Sequence, residues 1–435
     1  MYAVAGNSKA ATFSGLAKSC HSSADSVDEE SSEEVVSLEL LGFGCDAASI
    51  CTSKLAHSND QRSWSDLPTE LVGHVLGCLP AHIDRIRFAA VCHHWCISAR
   101  HPGIPPPLPW LVLSDGAAFT LPRGESFQIP NSTSFHSCSG EWLVFSTEKT
   151  CSLVNTFSMA NLKLPDLHCF NLIDEPHQVI NGHEIPNTVL NIEAEILIWK
   201  IVVCSEVLVA AMVRVGDLYT LALCHPGAKS WFVSALGRII SVADMMFYGG
   251  KLYTVDDEGD LCSIIVEEDI DSGKLRLSRI ELVVTEAPFF FPPWPFSGAI
   301  GTQNYLVESC GALLLVRRRT FEQRFGDVLD ITIKVVRIEF EVLEANFKLA
   351  KWVKVTSVGD DQVLFVGKSS QSICVSRYRQ KGNCIFFLED IEGWNFEDAP
   401  SSYAIYDMKD GTLDSPLPRG SCKGKKPPAT WLFPR

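Results

Sequence analysis

The chain has 435 residues, is 46% apolar and carries a net charge of −15 at pH 7, from 37 Lys and Arg against 52 Asp and Glu. That length and apolar share allow one large domain, or roughly two to three ordinary ones, with a real core, while the acidity argues against nucleic acid or an anionic membrane as the main partner. The 16 cysteines are irregularly spaced in a long chain with no charged-then-apolar leader, so they read as reduced thiols.

Residues 1–60 are rich in Ser and Ala and hold nine acidic residues against three lysines, with an acidic run through Asp28-Glu29-Glu30 and Glu33-Glu34. Such a composition does not bury enough apolar surface to offset the entropy of ordering a backbone, so this segment is expected to be disordered, with one short helix near Val35 to Leu41. The fragment Gly42-Phe43-Gly44 lacks the third glycine of a dinucleotide loop and carries no argument.

Residues 61–101 form a second unit. Apolar side chains recur at 71, 72, 75, 76 and 79 and again at 88, 91, 92, 95, 96 and 99, with Pro68 where a first helical turn needs no amide donor. Two helical stripes on so short a segment are expected to lack a core of their own and to find their burial elsewhere. The order Leu67-Pro68, Glu70-Leu71, Val75, Leu79-Pro80, Asp84-Arg85-Ile86-Arg87 and Val91-Cys92 with Trp95 resembles the F-box, the module that plugs a substrate receptor into the Skp-type adaptor of a cullin-based (SCF) ubiquitin ligase. The resemblance implies that Leu67, Pro68, Leu71, Val75, Leu79, Val91, Cys92 and Trp95 face the adaptor. Large apolar anchors without internal partners suit an interface core, where Trp is frequent among hot spots. Cys96 stands where relatives usually carry an arginine.

Residues 102–109, with Pro102 and Pro105-Pro106-Pro107, read as an extended proline-rich linker between two domains. From 110 to 415 the pattern changes to short β-branched and aromatic runs: Trp110 to Ser114, Trp142 to Ser146, Asp244 to Tyr248, Lys251 to Val255, Tyr305 to Glu308 and Ala312 to Val316. Turn signals at Gly249-Gly250, Asp257 to Asp260, Ser309-Cys310-Gly311, Lys381-Gly382-Asn383 and Lys409-Asp410-Gly411 predict hairpins and meandering four-stranded units. So many strands must hide their edges, and units recurring at about 40 to 50 residues point to an all-β propeller of six or seven blades. The longest apolar stretch, Ile196 to Val213, is broken by Lys200 and Glu206, so no membrane segment is expected. Residues 416–435 read as a basic tail, with Lys423, Lys425 and Lys426.

Ser139 to Val144, Asn155-Thr156-Phe157 with Leu164-Pro165, Trp231 ahead of Phe247 to Tyr253, Tyr305 to Ser309 ahead of Leu313 to Arg318, and Gly382 to Phe387 are similar to successive motifs of the plant KIB-type β-propeller family. That family usually places an F-box ahead of this domain. The pair of resemblances implies a non-catalytic SCF substrate receptor of the cytoplasm, the nucleus or both. The Skp-type adaptor, and through it a cullin, would sit on the helical module and an unknown target protein on the propeller. The alternative is a scaffold with a degenerate F-box and no role in ubiquitination, to which Cys96 and the helix-weakening Gly73 and Gly77 lend some weight.

Chemistry-bearing clusters are few. Cys92-His93-His94-Trp95-Cys96, with His74 and Cys78, offers soft ligands at helical spacing, but Cys92 already belongs to the apolar stripe and no paired short-spaced cysteines exist, so no metal is assigned and His93 and His94 are expected to face solvent. Nothing resembles a nucleophile elbow or a phosphate-cradling loop, and no catalytic residue or cofactor is proposed. Arg317-Arg318-Arg319 reads as a solvated strand end. The run Phe289 to Phe296 is too apolar for a free loop and too proline-rich for a central strand, so it is expected to pack over the propeller.

Overall fold

The structure, a computed structural model, describes residues 64–434 except 101–103, 123, 130–134, 136, 147–149, 167–168, 174–178, 181–182, 185–195, 216–217, 235–241, 269–274, 286–298, 326–331, 379, 389–402 and 415–428. The expectations for residues 1–60, for the aromatic-proline run and for the lysines of the tail therefore lie outside the described residues.

A single 3-10 turn (Trp64–Asp66) opens the described chain, followed by three α-helices: α1 (Thr69–Gly77), α2 (His82–Ala89) and α3 (His93–Ala99). Pro68 has φ −55° and ψ 144°, and its carbonyl accepts the amides of Leu71 and Val72 at 3.0 Å. The second apolar stripe was expected to be one helix and is two. Cys92 is extended at φ −161° and ψ 166°, and the break lets Trp95 stack on Phe88 with ring centroids 4.2 Å apart. In one continuous helix, residues seven apart would be separated by about 10 Å along the axis.

Apart from a two-stranded ribbon, Val179–Ile180 with His183–Glu184, the described strands build a six-bladed β-propeller, with one four- or five-stranded sheet per blade. Blades 2 (Ser137–Ser139 to Asn161–Leu164), 4 (Val242–Tyr248 to Leu275–Val284) and 5 (Ala299–Ser309 to Lys351–Val355) are the expected four-stranded meanders. Blade 3 adds Phe170–Ile173 as an outer strand parallel to Trp231–Ser234. Its first two strands, Ile196–Ser205 and Leu208–Val215, form an antiparallel hairpin from the longest apolar stretch of the sequence. Among the described residues no helix is long and apolar enough to cross a membrane.

Blade 6 departs from a meander. Its innermost strand is Gln371–Cys374, and the next, Gln362–Val366, pairs in parallel with Cys384–Leu388. The turn at Lys381 to Asn383 therefore ends a crossover rather than a hairpin. Gly382 is needed there for space, because a Cβ would lie 2.1 Å from the Asp360 carbonyl oxygen. The hairpin turns at Gly249-Gly250 and Cys310-Gly311 form as expected, each with two positive φ angles (55° and 79°, 50° and 78°).

Ala429–Leu432 pairs with Trp110–Leu113 and becomes the inner strand of blade 1, so the expected tail of 416–435 contains the strand that closes the ring. The lysines nearby masked a short apolar run, Ala-Thr-Trp-Leu, whose Trp431 is 0% exposed. Its indole donates to the Val366 carbonyl of blade 6 at 3.1 Å. The same device joins blade 3 to blade 2 (Trp231 to Pro165, 2.9 Å) and blade 5 to blade 4 (Trp352 to Gly259, 2.7 Å).

The core is divided among six apolar clusters, one at each junction between adjacent blades. Middle strands therefore have both faces covered, which is why Gln362–Val366 and Cys384–Leu388 are buried at every residue instead of alternating. Near the axis, Asp244 of blade 4 pairs with Lys200 of blade 3 and accepts the backbone amides of Met245 and of Leu306 in blade 5, both at 2.8 Å. One buried carboxylate thus ties three blades together.

The three arginines expected at a solvated strand end are buried within blade 5. Arg317 donates to Asn304 (3.2 Å) and to the Glu258 carbonyl (3.1 Å). Arg318 donates to the Leu388 carbonyl (2.9 Å) and lies 4.8 Å from the Phe387 ring centroid, and Arg319 donates to Glu341 at 2.7 Å. The arms of Arg317 and Arg318 reach partners on neighbouring blades and Arg319 one on the adjacent strand, which local charge counting does not reveal.

Candidate adaptor-binding surface

The helical module has a small core of its own: Val72, Leu76 and Phe88 are buried, and Leu67, Leu79, Trp95, Ala99 and Ile104 pack against them. This corrects the expectation that the segment lacks one. A third helix and a folded-back linker supply the missing walls.

The eight residues implied by the resemblance divide accordingly. Pro68, Leu71, Val75 and Val91 are exposed, the last three at 49%, 45% and 51%. Leu67, Leu79 and Trp95 wedge into the module core, and Cys92 is half-buried at the start of α3. The Trp95 indole nitrogen is buried with no hydrogen-bond partner among the described residues. Cys96 is 8% exposed, so the residue that replaces the usual arginine points inward and presents nothing to a partner.

Sequence reasoning missed two members of the exposed set, Trp64 at 76% and Ile97 at 57%. Of thirteen large apolar side chains exposed among the described residues, five belong to this short module. Isolated exposed leucines are ordinary, whereas such a concentration marks an interaction surface. Both missed residues lie off the periodic stripes, and a large apolar residue out of phase with the buried face was the signal available.

Of the two histidines, His93 is exposed as expected, while the His94 ring Nε2 lies 2.8 Å from the Leu67 carbonyl oxygen and ties α3 to the start of α1. Among the described residues no three His, Cys, Asp or Glu side chains are placed to hold a metal ion.

The module is fixed to the propeller, and residues 104–109 serve as mortar where a spacer was expected. Pro107, Leu108 and Pro109 are buried, and the Leu108 amide donates to the Pro80 carbonyl at 2.7 Å. Arg85 donates to the carbonyls of Leu79 (2.9 Å) and Pro105 (2.7 Å) and to the Tyr378 hydroxyl (2.7 Å), which itself donates to the Pro106 carbonyl at 2.8 Å. Burial lowers the Arg85 pKa from its ordinary value, opposed by Tyr378. His82 meets the rings of Trp110 and Phe157 edge-on at 5.6 and 5.0 Å, and that enclosure, with Arg85 adding repulsion, pushes its pKa down to about 4.

Gly77 admits Arg377 of blade 6, whose guanidinium would lie 2.7 Å from any Cβ. At about 100° per residue, Gly77 lies about 140° around α1 from the midpoint of Leu71 and Val75. One side of α1 therefore rests on the propeller and another carries the exposed apolar pair.

A small helical module with an exposed apolar set, clamped beside a six-bladed propeller, is the architecture of an F-box substrate adaptor. Residues 64–104 match the F-box-like family and residues 113–407 match the KIB1-4 beta-propeller family. The chain belongs to this propeller family and carries an F-box ahead of it, which implies binding to a Skp-type adaptor. It is similar to the F-box protein At2g26160 of Arabidopsis thaliana, 21% identical over 76% of this chain and 97% of that protein. It is also similar to the F-box protein SKIP23 of Arabidopsis thaliana, 23% identical over 85% of this chain and 95% of that protein.

Proposed function

We propose that this protein is the substrate-receiving subunit of an SCF-type ubiquitin ligase, acting in the cytoplasm or nucleus, with a cullin recruited through the Skp-type adaptor and a target protein held by the propeller. The observation that carries this reading is the exposed set Trp64, Leu71, Val75, Val91 and Ile97 on a module whose other side is clamped to the propeller. The protein contributes no reacting group in this reading. Holding a target near the charged conjugating enzyme raises its effective concentration, and a fixed geometry between module and propeller preserves that gain.

Affinity purification of the full chain from plant extract followed by mass spectrometry tests the reading. Recovery of a Skp-type adaptor with a cullin, lost in a Leu71→Glu, Val75→Glu double variant, supports it. Recovery of a stable partner without adaptor or cullin would favour the scaffold reading instead.

A further inference from the structure

Blades 4 and 5 meet at a surface patch that is both apolar and basic. Tyr248, Tyr253 and Phe347 form a chain of rings with centroids 6.0 and 5.7 Å apart, and the Tyr248 hydroxyl donates to the Gly311 carbonyl at 2.6 Å. Phe347 belongs to the turn between Thr332–Asn346 and Lys351–Val355, where it is 42% exposed and Leu349 is 64% exposed. The turn is held in shape: the Asn346 side-chain oxygen accepts the amides of Lys348 and Leu349 at 3.2 and 3.0 Å, and the Ala350 carbonyl accepts the Thr285 amide of blade 4 at 3.4 Å. Two large apolar side chains thus stand in water on a fixed support, continuous with two more rings.

The charges of this patch are mostly of one sign. Lys348 and Lys351 lie at the turn, and Lys251 follows Gly249-Gly250 on the strand that carries Tyr253; all three are exposed and enter no ion pair among the described residues. Acidic groups around them are few. Glu281 lies in one cross-sheet row with Tyr253 and Ser263 but pairs with Arg279, and Glu267 on the strand between them is itself engaged. Glu344 alternates with Leu343 and Ala345, which face blade 4, so it points the other way. Glu308, exposed and close in sequence to Gly311, is left as one carboxylate against three ammonium groups. On a chain of net charge −15 this excess of cations is local.

We propose that this patch is covered by the chain's own acidic segment, residues 25–46, which holds eight Asp and Glu and no Lys or Arg. Glu29, Glu30, Glu33 and Glu34 engage Lys251, Lys348 and Lys351, and the run Val35-Val36, Leu38 and Leu40-Leu41 that follows covers Phe347 and Leu349. An acidic surface repels such a segment over most of its extent, so a patch that is basic and apolar at once decides where it settles. The tether is long enough: 23 residues separate Leu41 from Trp64 and span up to about 75 Å when extended, against a radius of gyration of about 21 Å for a compact body of about 370 residues. Within one chain the effective concentration is roughly millimolar, so a contact of modest affinity is filled. Such self-coverage stands whether or not the protein serves a ligase, and it leaves the patch open to another partner only when the segment departs.

The test uses full-length chains throughout. Zero-length carbodiimide cross-linking with mass spectrometry should join carboxylates of residues 29–34 to Lys251, Lys348 or Lys351, and salt at about 0.5 M should suppress those links. A fluorescein-labelled peptide of residues 25–46, read by anisotropy, should bind the variant Glu29→Gln, Glu30→Gln, Glu33→Gln, Glu34→Gln, whose patch is vacated, about tenfold or more tightly than it binds the wild type, whose patch is filled. Adding Lys348→Glu and Lys351→Glu to that variant should abolish peptide binding, and adding Leu349→Ser should weaken it. All three positions are exposed, and an unchanged circular dichroism spectrum verifies folding. Equal peptide affinity for wild type and glutamine variant, cross-links that are absent or confined to Lys423, Lys425 and Lys426, or peptide binding that survives the two Lys→Glu changes overturns the proposal.

Discussion

The Arg85 guanidinium donates to the Tyr378 hydroxyl at 2.7 Å across 293 residues of sequence, and through this contact the F-box and blade 6 share one hydrogen-bonded network. Arg85 satisfies two backbone carbonyls of the module and linker, and Tyr378 satisfies a third. The junction is polar and half-buried, so each lost partner leaves another group short of its bond.

Tyr378→Phe removes one acceptor from Arg85 and the donor to Pro106. The expected cost is about 1–3 kcal/mol, concentrated at the junction. Calorimetry of the full chain should show a lower midpoint, with faster protease cleavage between residues 100 and 110 and unchanged propeller circular dichroism. Wild-type cleavage kinetics would show that the clamp is not held by this hydroxyl.

His82 makes this junction sensitive to acid. Its pKa is about 4 in the folded protein against an ordinary 6.5, so the folded state keeps the ring neutral. Stability from this group is fully present above 6.5. Between 6.5 and 4 the unfolded chain binds a proton that the folded chain refuses, and stability falls by about 1.4 kcal/mol per pH unit. Denaturant melts at pH 7 and pH 5 should differ accordingly, and His82→Phe should reduce the difference.

The two faces of α1 should respond in opposite ways. Leu71→Glu with Val75→Glu changes exposed positions and should leave the melting temperature nearly unchanged while abolishing adaptor capture in a pull-down. Leu76→Ala, at 1% exposure, should cost about 2–5 kcal/mol and disturb the module itself. The structure assigns Trp95→Ala to this second class, because its ring stacks on Phe88 inside the module, so that variant would lose adaptor binding through unfolding.

Closure of the ring depends on the last strand. Trp431→Ala should cost about 3–5 kcal/mol from lost packing alone, and truncation after residue 428 removes the inner strand of blade 1 altogether. The truncated chain is expected to aggregate, because Trp110–Leu113 becomes an open strand edge. A soluble truncated protein with a cooperative wild-type melt would rule out this closure.

Local pattern was enough for the class of each half. The order Leu67-Pro68 to Trp95 carried the F-box, and β-branched runs with glycine turns carried a propeller, because helix phase, strand propensity and turn geometry are properties of neighbours in sequence. What neighbours could not determine was decided by distance. Phe88 and Trp95 turned two stripes into three helices with a core, Trp431 turned a basic tail into the closing strand, and Arg317 to Arg319 found their partners on other strands and blades. Burial is settled by what arrives from elsewhere in the chain, and only the closed fold shows that Leu71, Val75, Trp64 and Ile97 are left uncovered while Leu67 and Trp95 are not.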